Sequence, residues 1–568
     1  MLKLRSCLLV VAILAQAVTG KAASENLHYW FVDSLVKVFP GDLPAKSPAK
    51  RADLWAARNG HVSAQIVLRS SQPLNGLTAE CNPLKSSSGS EINGIQIRAV
   101  GYVIVASHTE NTPPEELVGT APGWYPDVLQ NLPVDIKPNH TQSIWITIHV
   151  PADAAPGRYE GSVQLRAGGH VLAEPALRLT VTGATVPQER SLKVTNWLSF
   201  DDLQLRPFFQ AERFSPAWWA FVENVARVMG EHRQNVIITP LDMLVSGEAA
   251  GDEVRYDFSN FDRWADIFRE ECGFTYIEGS WVLNRENDSY TGRLVVPVLL
   301  LENGKVTTES LYPDDPRVEP ALNSFLTALN QHLEQKGWKN SYLQHLLDEP
   351  HGSEPPYYAR YAGIVRRCLP GVPTIDAIDV PDSEGIPREI MQNSDIWVPQ
   401  LGRFDKSVDM LQKRIQSGKE VWMYTCLFPT GRYMNRLMDF PLIKTRLLHW
   451  VNFRYNYTGF LHWGGNYWTP EPIKATQPVI NQNQTLLPSG DAYIVYPDKE
   501  HTSILSSIRL EAMLEGIEDY ELLKVLARHD PAQADALARQ AVSTFTDYVR
   551  DVAAFRKIQR NLLEAGTK

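Results

Sequence analysis

From about residue 190 onward, short apolar runs alternate with segments whose apolar residues recur every three or four positions, and this alternation limits the possible folds more than any other feature. The strand-like runs fall at 192–200, 235–240, 274–281, 342–349, 374–379, 395–400, 420–427 and 459–464. Helix-periodic segments lie between them at 216–229, 260–272, 320–336, 356–368, 384–392, 405–417 and 441–455, and 508–528 follows the last run. Eight strand–helix units predict a TIM-like (β/α)8 barrel over 190–528, with its reactive residues at the carboxyl ends of the strands. The longest insertion, 282–316, is expected to carry a hairpin around 294–302.

Before residue 190 the rhythm differs. Runs at 62–68, 95–105, 143–150, 161–165 and 177–181 alternate apolar and polar residues, separated by turn clusters such as Pro151-Ala152-Asp153-Ala154-Ala155-Pro156-Gly157. A β-sandwich over 24–185 is the expected solution, joined to the barrel by a linker at 184–190. After the barrel, 529–568 reads as a helical segment packing on it, because Leu537, Ala541, Phe545, Tyr548, Val549, Val552, Phe555, Ile558 and Leu562 recur at helix spacing. The fold class expected is therefore multidomain, α/β plus all-β. A chain of 568 residues is in any case too long for one core.

The net charge of −10 and the lack of a long Lys/Arg run argue against nucleic acid or an anionic membrane as partner; a neutral substrate fits better. The 15 tryptophans suit that reading, since a pyranose stacks its apolar face on a ring. Residues 1–23 carry Lys3 and Arg5, an apolar run from Leu8 to Ala15, and small residues after it, the layout of a secretory signal. A secreted or periplasmic location is expected, with no transmembrane segment, since no later stretch offers about 20 uninterrupted apolar residues. Cys81, Cys272, Cys368 and Cys426 match neither a zinc pattern nor a disulfide framework and read as buried small hydrophobes. Oligomeric state is not legible.

The fourth strand-like run reads Tyr342-Leu-Gln-His-Leu-Leu-Asp-Glu-Pro350. Pro350 ends it by removing a backbone donor just after Asp348 and Glu349. In isolation Asp-Glu-Pro also occurs as a solvated loop start. At the carboxyl end of a barrel strand the same pair points to chemistry. Glycoside hydrolysis needs a carboxylic acid to protonate the leaving oxygen and a nucleophile on the other side of the anomeric carbon. Adjacent residues do not easily fill both places. They suit a substrate whose own 2-acetamido oxygen attacks, with Glu349 as acid/base and Asp348 orienting the amide and stabilising the oxazolinium.

The Leu347-Asp348-Glu349-Pro350 motif, the preceding β-sandwich and the phrase Ser507-Ile-Arg-Leu-Glu-Ala-Met-Leu-Glu-Gly-Ile-Glu-Asp-Tyr-Glu-Leu-Leu523 together resemble glycoside hydrolase family 123. The resemblance covers most of the chain after residue 23, and Gly516-Ile-Glu-Asp-Tyr520 is its most distinctive part. It implies a β-N-acetylgalactosaminidase acting by substrate assistance without cofactor or metal, its Asp-Glu pair falling on Asp348 and Glu349. Leu514 departs from the pattern, where a basic residue is expected in many relatives.

Trp281, Trp397, Tyr424 and Trp463 lie on or at the ends of the third, sixth, seventh and eighth strands and are candidates to wall a sugar subsite. Each is equally suited to the core. Gly464-Gly465-Asn466 leaves room for a ligand near the backbone or forms a turn. His345, His351 and His462 lack metal-ligand spacing and read as ordinary hydrogen-bonded histidines. Two rivals stay open: a glycosidase for β-GlcNAc or a non-acetamido sugar, with Glu511 or Asp379 as a separate nucleophile, and a glycan-binding protein without turnover. Linkage, aglycone and exo or endo action are not readable from the residues.

Overall fold

The computed structural model describes residues 27–380, 385–480 and 484–566, so the signal-like segment 1–23 lies outside the described residues, as does Glu384 at the head of the expected 384–392 helix. The first half of the chain forms two main sheets. One runs Leu27–Asp33, His61–Ser70, Thr141–His149, Gly94–Val105, Gly123–Gln130, and the other runs Arg51–Arg58, Ala176–Thr185, Gly157–Ala167, Leu74–Cys81, Val134–Ile136. One apolar cluster draws on both: Ile66, Leu68, Ile144, Ile146 and Ile148 from the first, Leu77, Tyr159, Val163, Leu177 and Leu179 from the second. Strand alternation puts Ser143, Trp145 and Thr147 on the opposite face. That face is also buried, because the rest of the protein covers it.

The second half carries eight short parallel strands, one inside each of the eight predicted runs: Lys193–Asn196, Val236–Thr239, Tyr276–Gly279, Tyr342–Gln344, Ile375–Ile378, Ile396–Pro399, Met423–Tyr424 and Gly459–His462. Parallel ladders join the third to the second and fourth, the fifth to the sixth, and the eighth to the seventh and first. Single parallel bridges, Gln344–Thr374, Trp397–Val421 and Gln400–Tyr424, connect the ladders, and Asn235 N donates to Val194 O beside the first strand. Ladders of two to four residues are what a strongly curled sheet allows. Its concave side holds Trp197, Ile238, Leu343, Ala377, Val398, Trp422, Tyr424 and Leu461 in one cluster, with Trp281 and Trp463 half-buried at its edge.

Helices cover the convex side. Pro216–Glu231 begins at Ser215, whose hydroxyl accepts from Trp218 N, with Pro216 in the first turn where no amide is needed. The insertion carries the expected hairpin, Leu294–Glu302 against Lys305–Leu311. The C-terminal segment is two helices, Pro531–Ala541 and Val552–Ala565, rather than one. Phe545 and Tyr548 lie between them, yet both are buried, Phe545 stacked 4.2 Å from Tyr455 and Tyr548 bonded to Glu116.

The phrase that contains Gly516-Ile-Glu-Asp-Tyr520 forms the Ile508–His529 helix, which is buried almost all round. Several of its buried charges are paired. Arg509 forks onto Asp127 at 2.8 and 2.9 Å, Glu511 takes Arg98 at 2.8 Å and Thr147 at 2.9 Å, and Glu518 takes the amide and ring of His61 at 2.8 and 2.6 Å, all on strands of the first sheet. On the other side Asp519 takes Arg446 at 2.7 Å and Trp450 at 2.9 Å. At Gly516 a Cβ would come within 2.5 Å of Arg446 O, so only glycine lets this helix approach the Leu442–Tyr455 helix so closely. This helix joins the two halves. Among the described residues no helix is long and apolar enough to cross a membrane.

Candidate active site

The fourth parallel strand stops at Gln344, five residues before the expected end at Glu349. Pro350 is not the cause. Leu346 N and Leu347 N both turn to the buried carboxylate of Asp376 on the fifth strand, at 3.0 and 3.2 Å, so these amides are not spent on a neighbouring strand. Two residues later Glu349 has φ 44°, a left-handed conformation costing about 1–3 kcal/mol for a residue with a side chain. The regular pleat that sends neighbouring side chains to opposite faces is thereby broken at the acid pair.

Arg285, from the insertion, offsets that strain. Its guanidinium donates to Asp348 O at 3.0 Å and Glu349 O at 3.2 Å, and is itself held by Glu354 through bonds of 2.9 and 2.7 Å. Charge-assisted bonds contribute about 1.5–3 kcal/mol each, so two to the main chain outweigh one left-handed residue. His351 adds a third contact, its Nδ1 2.9 Å from Glu349 O, and stacks on Tyr290 at 4.1 Å.

Beneath the pair runs a buried chain of polar groups: Thr195 to Glu278 at 2.9 Å, Glu278 to His345 at 3.1 Å, His345 to Asp376 at 3.1 Å, and Tyr358 to Asp376 at 2.7 Å. Burial alone would neutralise His345, but hydrogen bonds to Asp376 and Glu278 prevail and push it up to about 10. It is therefore a buried imidazolium between two carboxyls rather than an ordinary histidine.

Both acids are half-buried, and both are shifted upward. Burial is the main cause for each. For Asp348 the charges of Arg285 and His345 work against it; for Glu349 the adjacent Asp348 charge adds to it, and the hydroxyl of Tyr424, bonded to Glu349 Oε1, partly opposes it. Glu349 is raised further than Asp348. The pair therefore combines a carboxyl that keeps its proton toward neutral pH with a carboxylate next to it, the division of labour an acid/base and a charge stabiliser require.

Of the candidate aromatics, Tyr424 reaches Glu349 directly. Trp281 stands over the curled sheet against Trp197 at 4.8 Å and His345 at 5.4 Å, and Trp463 donates to the buried Asp491 at 3.2 Å. Trp397 does not belong with them. It points into the helix layer, where Arg414 covers its ring at 3.8 Å, because its neighbours Ile396 and Val398 occupy the concave face. Gly464 and Gly465 leave no room for a ligand: a Cβ would meet Asp491 O at 1.9 Å and Trp197 O at 2.4 Å, so the chain's own backbone fills that space. Glu511 is buried at the joint between the halves, well away from solvent and bonded to Arg98, Thr147, His232 and Ser506, and is not available as a nucleophile. Asp379 does lie near the acids, where its charge raises both, with Arg403 2.6 Å from it.

His462 is neutral: burial holds it well below its usual range, and Arg436 at 2.7 Å and Gly464 N at 3.0 Å both donate to its Nδ1. Cys368 and Cys426 are buried as expected, whereas Cys81 and Cys272 are half-exposed, and all four are free thiols. No three His, Cys, Asp or Glu side chains converge as metal ligands among the described residues. Sequence reasoning missed Arg285, Glu354, Glu278 and Asp376. Glu278 and Asp376 sit inside predicted strands as acids flanked by apolar residues, a readable signal; Arg285 and Glu354 carry none.

Beside Asp379 and Arg403 an open groove of about 530 Å³ continues outward past Gln400, Phe428 and Tyr433. The model of the glycoside hydrolase 123 catalytic domain matches residues 204–526, and that of the glycoside hydrolase 123 N-terminal domain matches 41–167. A family 123 glycoside hydrolase from Clostridium perfringens, solved in a study of glycolipid glycan hydrolysis, has the same fold with a TM-score of 0.72 at 17% identity, over 95% of this chain and 97% of that one. A family 5 xyloglucanase from Bacteroides ovatus aligns with 9% identity over 82% of this chain and 98% of that one, but its TM-score of 0.28 is too low to carry any argument. No curated protein matches the chain. With the catalytic-domain match alone spanning more than half of the 568 residues, the chain belongs to glycoside hydrolase family 123 and acts on a carbohydrate substrate.

Proposed function

We propose that the protein is a retaining β-N-acetylgalactosaminidase that releases terminal β-linked GalNAc through assistance by the 2-acetamido group. Glu349 gives its proton to the glycosidic oxygen as the bond to C1 breaks, while the acetamido oxygen bonds to C1 and forms the oxazolinium. The Asp348 carboxylate accepts the amide N–H and stabilises the positive ring. Glu349, now ionised, takes a proton from the water that attacks C1, the bond from C1 to the acetamido oxygen breaks to restore the acetamido group, and the configuration is retained. Trp281 and Trp463 wall the sugar, and the groove past Arg403 and Phe428 takes the rest of the glycan.

The observation that carries this reading is the acid pair set beyond the end of the fourth strand, with Glu349 left-handed and holding its proton. The glycolipid glycans of the Clostridium perfringens study support glycolipid headgroups as one natural substrate class. Around this site we read residues 24–185 as a β-sandwich, 190–528 as a closed (β/α)8 barrel and 529–568 as a packed helical tail. We read 1–23 as an export signal that directs the enzyme to the periplasm or medium.

Asp379 supports a second reading, in which it is a separate nucleophile for a sugar without an acetamido group, since it lies within electrostatic reach of both acids. Release of chromophore from aryl β-GalNAc, β-GlcNAc and β-galactoside by wild type and Glu349→Gln separates the two. Turnover of β-GalNAc alone, lost in the variant, supports substrate assistance; equal turnover of the galactoside refutes it and favours Asp379.

A further inference from the structure

Arg285 ends the two-residue strand Asn284–Arg285, which pairs with Leu294 and Val295 at the base of the insertion's hairpin. Its side chain is only 8% exposed. An arginine in such a place is commonly half of a structural ion pair, and Glu354 supplies the other half. Two features exceed that role. The pair with Glu354 fixes the plane of the guanidinium, and the donors left over converge on the two consecutive carbonyls of Asp348 and Glu349. Glu354 also takes His351 N at 2.9 Å, so the residues on either side of Pro350 are tied to one ion pair. The Tyr290 ring, 5.3 Å from the guanidinium and stacked on His351, closes the assembly from the solvent side.

We propose that Arg285 is a positioning residue: from the hairpin insertion it grips the main chain of the acid pair and keeps Glu349 left-handed, so that both carboxyls address one substrate. It touches no reacting atom. The role deepens the hydrolase reading and rests on Asp348 and Glu349 being its acids. It also makes the 282–316 insertion part of the catalytic apparatus, because the clamp comes from the hairpin's own ladder. Lysine cannot replace the fork, as one ammonium cannot bind Glu354 in bidentate fashion and reach two carbonyls in a fixed plane.

The test uses the full chain with Arg285→Ala, Arg285→Lys and, as a control on the same insertion, Arg293→Ala. Displacing the acids by about 1 Å lowers turnover about 100-fold, so Arg285→Ala should lose kcat on that scale with KM within about threefold. Free guanidinium should restore at least about tenfold of it, an effect loss of folding would not show. Arg285→Lys should be folded and nearly as impaired, and Arg293→Ala should match wild type. The pH–rate profile of Arg285→Ala should move to higher pH, since the lost cation favours the ionised form of both acids. A crystal structure of Arg285→Lys supplies a readout that needs no activity: Glu349 should leave the left-handed region. A kcat within about threefold of wild type for Arg285→Ala, or a Glu349 φ still positive in Arg285→Lys, overturns the role. Absence of turnover in wild type would refute the hydrolase reading instead, and the backbone at Glu349 would still decide this one.

Discussion

Glu349 is held in an unfavourable state, and stability should register the fact. Its folded-state pKa is raised, above all by burial and then by the Asp348 charge. Above the ordinary glutamate value of about 4.3 the unfolded chain gains by ionising and the folded chain does not, so stability falls as pH rises from there through the raised value. Glu349→Gln removes that penalty. The variant should lose turnover by about 100-fold or more, yet melt higher than wild type at pH 7 and no higher at pH 4. A lower melting temperature at pH 7 would contradict the raised pKa.

Tyr424 tests the same acid from its partner's side. Its phenol, kept protonated by burial and by the Glu349 charge, donates to Glu349 and favours the ionised form. Tyr424→Phe should therefore move the alkaline limb of the pH–rate profile upward and lower kcat about tenfold. A limb moving downward would show that the phenol bonds the neutral acid. At this scale the sequence was readable where chemistry is local. Asp348-Glu349-Pro350 announces itself, whereas Arg285 lies 63 residues from Asp348 and nothing beside it marks its target. Trp397 misled for a related reason: in a strand buried on both faces, composition does not say which face lines the pocket.

At the scale of elements, the fourth strand and the Ile508–His529 helix show what periodicity misses. The apolar run into Asp348 reads as strand to its end, but Asp376 withdraws two amides from the ladder after Gln344. Asp376 also binds the His345 cation, so Asp376→Asn breaks a buried ion pair and should cost about 3–5 kcal/mol of stability while disordering the acid loop. Denaturant melts measure it, and a loss under about 1 kcal/mol would contradict the charged pair. The helix was legible as a helix and as the distinctive phrase of the family. Its burial was not, because Arg509, Glu511, Glu515, Glu518, Asp519 and Glu521 look like a solvated face until their partners on distant strands, a neighbouring helix and the end of the linker are known. Gly516→Ala should lower stability by about 1–3 kcal/mol through overpacking against Arg446 O, without changing kcat per folded molecule.

At the scale of the whole molecule, the change of rhythm near residue 190 was visible in the sequence, but the way the halves are joined was not. The joint combines apolar packing with a largely buried set of charges, and the charges make it pH-dependent in a definite direction. Burial raises Glu518 and Glu511, but the charges of His61 on the first, and of Arg98 and His232 on the second, prevail and leave both lowered. Their contribution is present above the unfolded value of about 4.3 and is lost as pH falls through the folded one. His61 has the opposite sign. Burial lowers it, Glu518 overcomes that and raises it, and its contribution, fully present below about 6.5, fades as pH rises through the raised value. The joint is therefore strongest between these limits. Glu518→Gln, which leaves the half-buried His61 without its charge partner, should cost about 3–5 kcal/mol at pH 6 and much less at a pH below the lowered Glu518 value, where wild type has lost the pair. Melts of both proteins at the two pH values, with limited proteolysis near residue 190 as a second probe, measure the difference. An equal cost at both pH values would mean that the halves are held by apolar contact alone, and that the charged phrase through Gly516 has a purpose other than joining them.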